Sequence, residues 1–174
     1  MKISKCSMCD LEKVALLYDE TVLYLTEHIN YPKWKYKEYP SYDSAKTAIE
    51  SGDQYMCTDD DGNVVGAFMF DTVPRGNYNC GNWSKELNTG EYKIIHAFAV
   101  HPALQGKGVG EFMVGYCLDS AKKDKFKAIR LDAVPANVPA RRLYEKMGFQ
   151  FAGEKDLERN MPEIPTFTLY EFNF

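Results

Sequence analysis

The sequence predicts a protein of the α/β or α+β class, built around one mixed β-sheet. Segments of β-rich composition are interleaved with segments of helical periodicity, and their order along the chain is mixed. No repeat and no obvious linker interrupts the 174 residues, a length that suits one ordinary domain with a substantial core. We therefore expect a single domain over residues 1–174.

The first part of the chain predicts a strand followed by helices. Residues 2–8 have the length of a short strand. From Asp10 onward, apolar residues recur at helical spacing, at Leu11, Val14, Tyr18, Val22 and Leu25. A proline- and aromatic-rich loop over residues 30–42 comes next, and the stretch DSAKTAIESG predicts a short helix that ends at a glycine.

The middle of the chain predicts a β-hairpin, a long loop and a further strand. In QYMCTDDDGNVVGAFMFDTV, two β-rich arms flank a turn at Asp61-Gly62. Residues 71–90 form a loop of a length that is usually functional or disordered. The stretch YKIIHAFAV predicts the strand that follows this loop.

The last part of the chain alternates helices with strands. A helix is predicted by the apolar spacing of Val109, Phe112, Met113, Tyr116 and Cys117. AIRLDAV predicts a strand, and NVPARRLYEKMG predicts a helix that begins at Asn137 and ends at Gly148. FQFAGEKDL and TFTLYEFNF predict two final strands.

Charge and composition favour small partners. The formal net charge is −4 with acids and bases scattered along the chain, which argues against a nucleic-acid surface; KWKYK, residues 33–37, is one short basic-aromatic stretch. No run reaches the roughly 18 to 20 apolar residues of a membrane span, and the N-terminus lacks the apolar core of a signal peptide. Five cysteines favour a reducing cytoplasm, and Cys6 and Cys9, a single C-x-x-C pair, are interpreted as structural rather than as metal ligands. We expect a cytoplasmic protein that binds no nucleic acid, membrane or metal, and the sequence leaves a homodimer open.

Three glycines between a strand and a helix predict a phosphate-binding loop. Gly106, Gly108 and Gly110 let several backbone N–H groups converge on one anion at a helix N-terminus, and Lys107 adds a mobile charge. The spacing fits neither a P-loop, because Lys107 is followed by glycine, nor the dinucleotide fingerprint G-x-G-x-x-G. It fits Q-x-x-G-x-G, with the glutamine at Gln105.

The Q-x-x-G-x-G segment, preceded by AFAVHP on a strand, resembles the acetyl-CoA pyrophosphate loop of the GNAT N-acetyltransferase superfamily. The stretch LDAVPANVPARRLYEKMGF resembles the second signature of that superfamily, and the two signatures occur in the same order, within residues 94–151. The resemblance implies a mixed, mostly antiparallel sheet of six to seven strands flanked by about four helices. It further implies that the two central parallel strands splay apart.

The resemblance also implies a set of residues that bind acetyl-CoA as co-substrate. Backbone groups of the strand would pair with pantetheine at Phe98, Ala99 and Val100, and the Val100 amide would donate to the thioester oxygen. The loop amides would hold the pyrophosphate at Gln105, Gly106, Lys107, Gly108, Val109 and Gly110. Asn137 would reach the CoA arm, and Arg141 or Lys146 would meet the adenosine end.

Acetyl transfer to an amine needs a base for the amine proton and an acid for the departing thiolate. A lysine-like amine has a pKa of ~10.4, so deprotonation at neutral pH costs roughly 4.6 kcal/mol. Tyr144 is the candidate acid, since it lies two helical turns from Asn137 on the same face and matches the tyrosine that stands beside the CoA sulfur in the superfamily.

Three candidates remain for the base. His96 shares a strand face with Phe98 and Val100, and its unperturbed pKa near 6.5 suits proton acceptance. HAFAVH is similar to the segment of arylalkylamine N-acetyltransferases in which the first histidine relays the proton, although their second upstream histidine is Ile94 here. Asp132 matches a position where some members carry an acidic base, His101 is the third candidate, and water or another group remains as the alternative to all three. His101, which precedes a proline, is expected only to end the strand.

The acceptor is less defined than the co-substrate. Aromatic residues on the loops 30–42 and 71–90 would either contact an amine or pack onto the core as a lid; they are Tyr31, Trp34, Tyr36, Tyr39, Tyr78 and Trp83. The acidic residues Glu27, Asp71 and Glu91 would attract a cation or lie on a solvated surface. We expect a small-molecule amine as acceptor; a peptide or protein amine and a non-catalytic acyl-CoA-binding regulatory module are the alternatives.

Overall fold

The computed structural model describes residues 1–174 and contains seven strands and four α-helices. The strands are β1 (Lys2–Lys5), β2 (Gln54–Thr58), β3 (Val64–Asp71), β4 (Tyr92–Val100), β5 (Ala128–Ala133), β6 (Gln150–Lys155) and β7 (Phe167–Asn173). The helices are α1 (Leu11–Glu27), α2 (Tyr42–Glu50), α3 (Val109–Lys123) and α4 (Val138–Lys146). Three short 3-10 helices cover Met8–Asp10, Tyr78–Cys80 and Pro102–Leu104. The mixed order of strands and helices predicted from the sequence is confirmed.

All seven strands belong to one sheet, in the order β1-β2-β3-β4-β5-β7-β6. The pairs β1–β2, β2–β3, β5–β7 and β6–β7 are antiparallel, whereas β4 and β5 are parallel. The parallel pairing covers only Tyr92–Ile94 against Ala128–Arg130, and both strands continue beyond it without pairing to each other. The mostly antiparallel sheet with central parallel strands that separate is therefore confirmed.

The first strand is shorter than predicted. It ends at Lys5 instead of continuing to residue 8. The carboxylate of Asp10 accepts hydrogen bonds from the Ser7 backbone N–H at 2.8 Å and from the Ser7 hydroxyl at 2.7 Å. These bonds turn the chain into a 3-10 helix ahead of α1, because a short acceptor side chain competes with the strand ladder for local donors.

By its contacts the chain divides into two compact units, and the first comprises Met1–Asn30, Trp34–Phe70 and His96–Tyr116. Its core packs α1 and α2 against strand residues that include Ala67, Met69, Ala97 and Ala99. A separate group of rings stacks Tyr55, Phe68, Phe98 and Tyr116 at centroid distances of 5.4 to 6.4 Å. This unit contains the end of β4 and the glycine loop.

The second unit comprises Tyr31–Lys33, Asp71–Ile95 and Cys117–Phe174. Its core joins the start of β4 to β5, β6 and β7, and the long connection from β3 to β4 contributes Tyr78 to it. Leu157 and Ile164, from the connection between β6 and β7, are also buried in this core. The β3–β4 and β6–β7 connections thus each contribute buried side chains to this core.

Candidate active site

The loop between β4 and α3 has the form that the glycine spacing predicts. The His101 N–H donates to the Val65 carbonyl at 2.9 Å, and the His101 imidazole Nδ1 accepts from the Ala103 N–H at 3.3 Å. His101 therefore ends the strand and starts the turn Pro102–Leu104, as expected. Helix α3 begins four residues after Gln105, so its first N–H groups, which have no partner inside a helix, are presented by this loop.

Two of the loop glycines have left-handed backbone conformations. Gly106 has φ of +74° and Gly108 has φ of +85°. No protein atom lies within 4 Å of the position that a Cβ would take at either glycine, so packing inside the protein does not explain these residues. Lys107 between them is exposed, whereas the Val109 side chain is buried and leaves only its backbone for binding.

Strand β4 places the remaining predicted pantetheine contacts, but not with regular alternation. His96 is 7% exposed and Ala99 is in the core, while Phe98 and Val100 are half-buried. Between His96 and Phe98, Ala97 has φ of +47°, a left-handed conformation that is rare for residues other than glycine and breaks the regular alternation of a strand. The shared face of His96 and Phe98 was predicted from strict alternation, and that premise is wrong at Ala97.

The predicted acid, Tyr144, lies on a helix whose ends the sequence identifies. The Asn137 Oδ1 accepts from the Ala140 N–H at 3.4 Å and caps α4. The Tyr144 ring is 5% exposed and packs at centroid distances of 5.8 Å from Phe149 and 6.2 Å from Tyr170. Burial raises the pKa of Tyr144 well above its ordinary value of 10, and the nearby Cys117 thiol and Asp132 carboxylate raise it further. The hydroxyl is therefore protonated at neutral pH, the state that a proton donor requires.

Arg141 forms its side-chain hydrogen bonds with residues of the second unit. Its Nε donates to the Tyr170 hydroxyl at 3.2 Å and its Nη1 donates to the Pro135 carbonyl at 2.9 Å. The Tyr170 hydroxyl in turn donates to Glu145 at 2.5 Å. Lys146, the alternative for the adenosine end, is exposed on the same helix.

Asp132, the acidic candidate for the base, accepts three hydrogen bonds. Arg159 forms a two-pronged pair with it, from Nη1 at 2.9 Å and Nη2 at 2.6 Å, and the Tyr78 hydroxyl donates at 2.6 Å. The side chains of Asp132 and Arg159 are 10% and 19% exposed. Both carboxylate oxygens of Asp132 are therefore engaged by hydrogen bonds within the protein.

Most aromatic residues of the loops 30–42 and 71–90 pack onto the core. Tyr78 is buried, and the Trp83 indole N–H donates to the Tyr78 carbonyl at 2.6 Å. The Trp83 ring also stacks on the Arg130 guanidinium at 4.3 Å, so these two aromatic residues pack onto the core. In the other loop, Trp34 and Tyr39 pack against the core of the first unit, while Tyr36 is 42% exposed.

The acidic residues suggested for cation binding are mostly paired. Asp71 is buried and accepts from Arg75 at 3.2 Å, and Glu91 is paired with Lys127. Glu27 is exposed near the end of α1. Sequence reasoning missed Arg159 altogether, since nothing in its neighbourhood repeats or matches a motif.

The sheet, with its parallel strands that separate after three pairs and its glycine loop before a helix, defines the class of acetyl-CoA-dependent acyltransferases. The profile of the Acetyltransferase (GNAT) family matches residues 17–149, and the chain belongs to this family. Membership confirms the predicted family, the class of enzyme and acetyl-CoA as the co-substrate of that class.

Related proteins agree with this assignment. A spermine/spermidine N(1)-acetyltransferase from Bacillus subtilis (strain 168) is 33% identical over 97 residues, a match that spans 55% of this chain and only 59% of that relative. GNAT acetyltransferases of Streptococcus agalactiae and Listeria monocytogenes share the fold over 99% of this chain and 95% and 94% of theirs. Their TM-scores are 0.79 and 0.75, and their identities are 18% and 19%. A proposed acetyltransferase from Salmonella typhimurium, solved with acetyl-CoA, has a TM-score of 0.70 at 19% identity, over 99% of this chain and 93% of that one.

No helix of this protein has the length and apolar character needed to cross a membrane.

Proposed function

We propose that this protein transfers the acetyl group of acetyl-CoA to a primary amine of a small molecule, by direct attack in a ternary complex. The burial and protonation state of Tyr144 are the main support for this proposal. Tyr144 has a buried hydroxyl whose raised pKa keeps it protonated, and it belongs to the second signature of a family that uses acetyl-CoA. Cytoplasmic location, a single domain over residues 1–174 and homodimer formation stay predictions.

The glycine loop is proposed to bind the pyrophosphate of the co-substrate. The left-handed conformations of Gly106 and Gly108 and the start of α3 at Val109 bring backbone N–H groups together at a helix N-terminus. Exposed Lys107 adds a positive charge. On β4, the backbone of Phe98, Ala99 and Val100 is proposed to pair with pantetheine. The Asn137 side-chain oxygen caps α4, so a contact with the CoA arm would use its amide nitrogen as donor.

Tyr144 is proposed as the general acid. In the attack, the amine nitrogen forms a bond to the thioester carbon and loses one proton to the base. The carbon–sulfur bond breaks, the sulfur takes the Tyr144 proton, and the tyrosinate regains a proton from water. A donor that stays protonated at neutral pH is ready for this step in every turnover, and general acid catalysis of this kind contributes typically 10²- to 10⁴-fold in rate.

His96 is proposed as the base, directly or through water. It is buried on β4 between Ile95 and the left-handed Ala97, and a neutral imidazole has one ring nitrogen that can accept a proton. Asp132 is the weaker candidate because its oxygens are engaged by Arg159 and Tyr78. Replacement of His96 by Ala should remove the acidic limb of the pH–rate profile of kcat/KM for the amine. Persistence of that limb would exclude His96 as the base.

A polyamine is the first acceptor to test. The relative from Bacillus subtilis is named for spermine and spermidine, and the net charge of −4 of this chain favours cationic partners. The packing of Tyr78 and Trp83 gives the β3–β4 connection a fixed form, which suits a bounded acceptor better than an open peptide groove.

The decisive experiment follows thiol release from acetyl-CoA with polyamines, arylalkylamines, amino acids, aminoglycosides and short peptides, with acetyl-CoA binding measured by calorimetry. Tyr144→Phe should lower kcat at least tenfold while acetyl-CoA affinity is retained. Turnover with peptides alone would move the acceptor to a protein. Tight acetyl-CoA binding without turnover on any amine would favour a regulatory module that only binds, and unchanged kcat in Tyr144→Phe would contradict the acid role.

A further inference from the structure

One partly buried ion pair, between Asp132 and Arg159, joins three separate segments of the second unit. Arg159, from the connection between β6 and β7, uses all three guanidinium nitrogens. Two donate to the Asp132 carboxylate on β5, and Nε donates to the Arg75 carbonyl of the β3–β4 connection at 2.8 Å. The guanidinium carbon also lies 4.4 Å from the centroid of the Phe167 ring at the start of β7. A planar fork of this kind is characteristic of arginine and is not reproduced by lysine.

The two connections are also joined directly to each other. The Asn77 N–H donates to the Leu157 carbonyl at 2.8 Å, and the Asn77 amide donates to Glu158 at 2.8 Å. Gly76 comes so close that a Cβ there would lie 2.3 Å from the Leu157 oxygen. The segments 72–91 and 156–166 therefore pack against each other, and we call them the loop pair.

The loop pair is anchored at a point close to the proposed acid. Tyr78, inside the pair, donates to Asp132. The residue before Asp132, Leu131, pairs with Tyr170 of β7, and the Tyr170 ring lies 6.2 Å from the Tyr144 ring. Asp132 lies two residues beyond Arg130, where the pairing of β5 with β4 ends. Asp132 and the loop pair that it holds thus lie on the part of β5 that extends beyond its pairing with β4 and stays paired with β7.

We infer that Asp132 and Arg159 are positioning residues for the amine substrate, which hold the loop pair on β5 beside Tyr144, and that Asp132 is not the base. This inference rests on the proposed function. The ion pair fixes the position of the loop pair, and the loop pair in turn positions the amine relative to the thioester. Loss of the pair should weaken amine binding and leave acetyl-CoA binding unchanged.

The experiment compares Arg159→Met and Asp132→Asn with the wild type and with Lys122→Met, a control that removes an exposed charge from α3. We expect KM for the amine to rise at least tenfold in both test variants, with acetyl-CoA affinity within twofold of the wild type. The acidic limb of the pH–rate profile should persist in Asp132→Asn. The double variant should lose less than the product of the two single effects, because residues in contact do not act additively.

Two kinetic outcomes would overturn the inference. The first is an amine KM within twofold of the wild type in Arg159→Met. The second is loss of the acidic limb in Asp132→Asn together with a large fall in kcat at unchanged amine KM, which would make Asp132 the base.

Hydrogen exchange of the substrate-free protein separates failure of this inference from failure of the proposed function. In Arg159→Met, the amides of residues 72–91 and 156–166 should gain exchange together, whether or not the wild type turns over any amine. A gain confined to residues 156–166 would show that the loop pair does not depend on the ion pair, and the inference would fail. Lys122→Met should exchange like the wild type in both segments.

Discussion

Gly108 and Gly76 have nearly the same backbone conformation, with φ of +85° and +81°, but opposite surroundings. Around Gly108, no protein atom lies within 4 Å of the position that a Cβ would take, whereas at Gly76 that position lies 2.3 Å from the Leu157 oxygen. The first glycine shapes a loop whose backbone is presented outward, and the second lets two segments of the chain meet. The same residue type thus serves binding in one region and internal packing in the other, so substitutions should separate the two.

Gly76→Ala should have the largest effect on stability. A left-handed alanine costs roughly 1–2 kcal/mol, and displacing the Leu157 carbonyl adds about 1–3 kcal/mol, so we expect a loss of about 3 kcal/mol in the free energy of unfolding. Urea denaturation measures this change. Gly90→Ala is the matched control in the same connection, since Gly90 has φ of +94° and no atom within 4 Å of the Cβ position. Equal losses in the two variants would show that the contact with Leu157 carries no energy.

Gly108→Ala should act on co-substrate binding instead. The cost of about 1–2 kcal/mol for a left-handed alanine can be relieved by a shift of the loop, which would weaken acetyl-CoA binding by roughly five- to thirtyfold, at 1.4 kcal/mol per factor of ten. Calorimetry on both proteins measures the change. Gly115→Ala, in the interior of α3, is the control and should leave affinity unchanged while it raises stability by up to about 1 kcal/mol. Unchanged affinity in Gly108→Ala would mean that the loop conformation does not matter for binding.

Lys127→Gln should have the smallest effect, and that effect should depend on pH. The Lys127 ammonium, with help from Asn88, lowers the pKa of Glu91, at the end of the β3–β4 connection, from 4.5 to about 2. A depressed carboxyl pKa stabilises the folded state above the unfolded pKa, and this stabilisation is lost as pH falls from 4.5 towards 2. The Tm difference between wild type and Lys127→Gln should be largest near pH 7 and should shrink below pH 4.5. A constant difference down to pH 3 would contradict the pairing.

The sequence predicts elements well where the signal is local. Asn137 before an apolar-periodic stretch and Gly148 after it bracket α4, and the structure places the helix at Val138–Lys146. The three spaced glycines predict the turn before α3 for the same reason, since conformation there follows from residue type.

Features that depend on distant partners escape such reasoning. Arg159 lies 27 residues from Asp132 in a segment without periodicity, so their pairing leaves no trace in the local pattern. The left-handed conformation of Ala97 is equally unpredictable, because an alanine within a strand pattern gives no signal of it. The loop of the candidate site is therefore predictable, while the neighbours that fix Asp132 are known only from the fold.

Arg159 bonds both Asp132 and the Arg75 carbonyl, and this limits which β3–β4 connection from a related protein could replace the present one. A transplanted β3–β4 connection would have to supply a carbonyl where Arg75 now offers one and a hydroxyl where Tyr78 donates to Asp132. A loop that lacks either group would leave a partly buried charge with one hydrogen bond fewer, which typically costs about 1–3 kcal/mol. We therefore expect that exchange of residues 72–91 alone destabilises the protein, unless residues 156–166 are exchanged together with them.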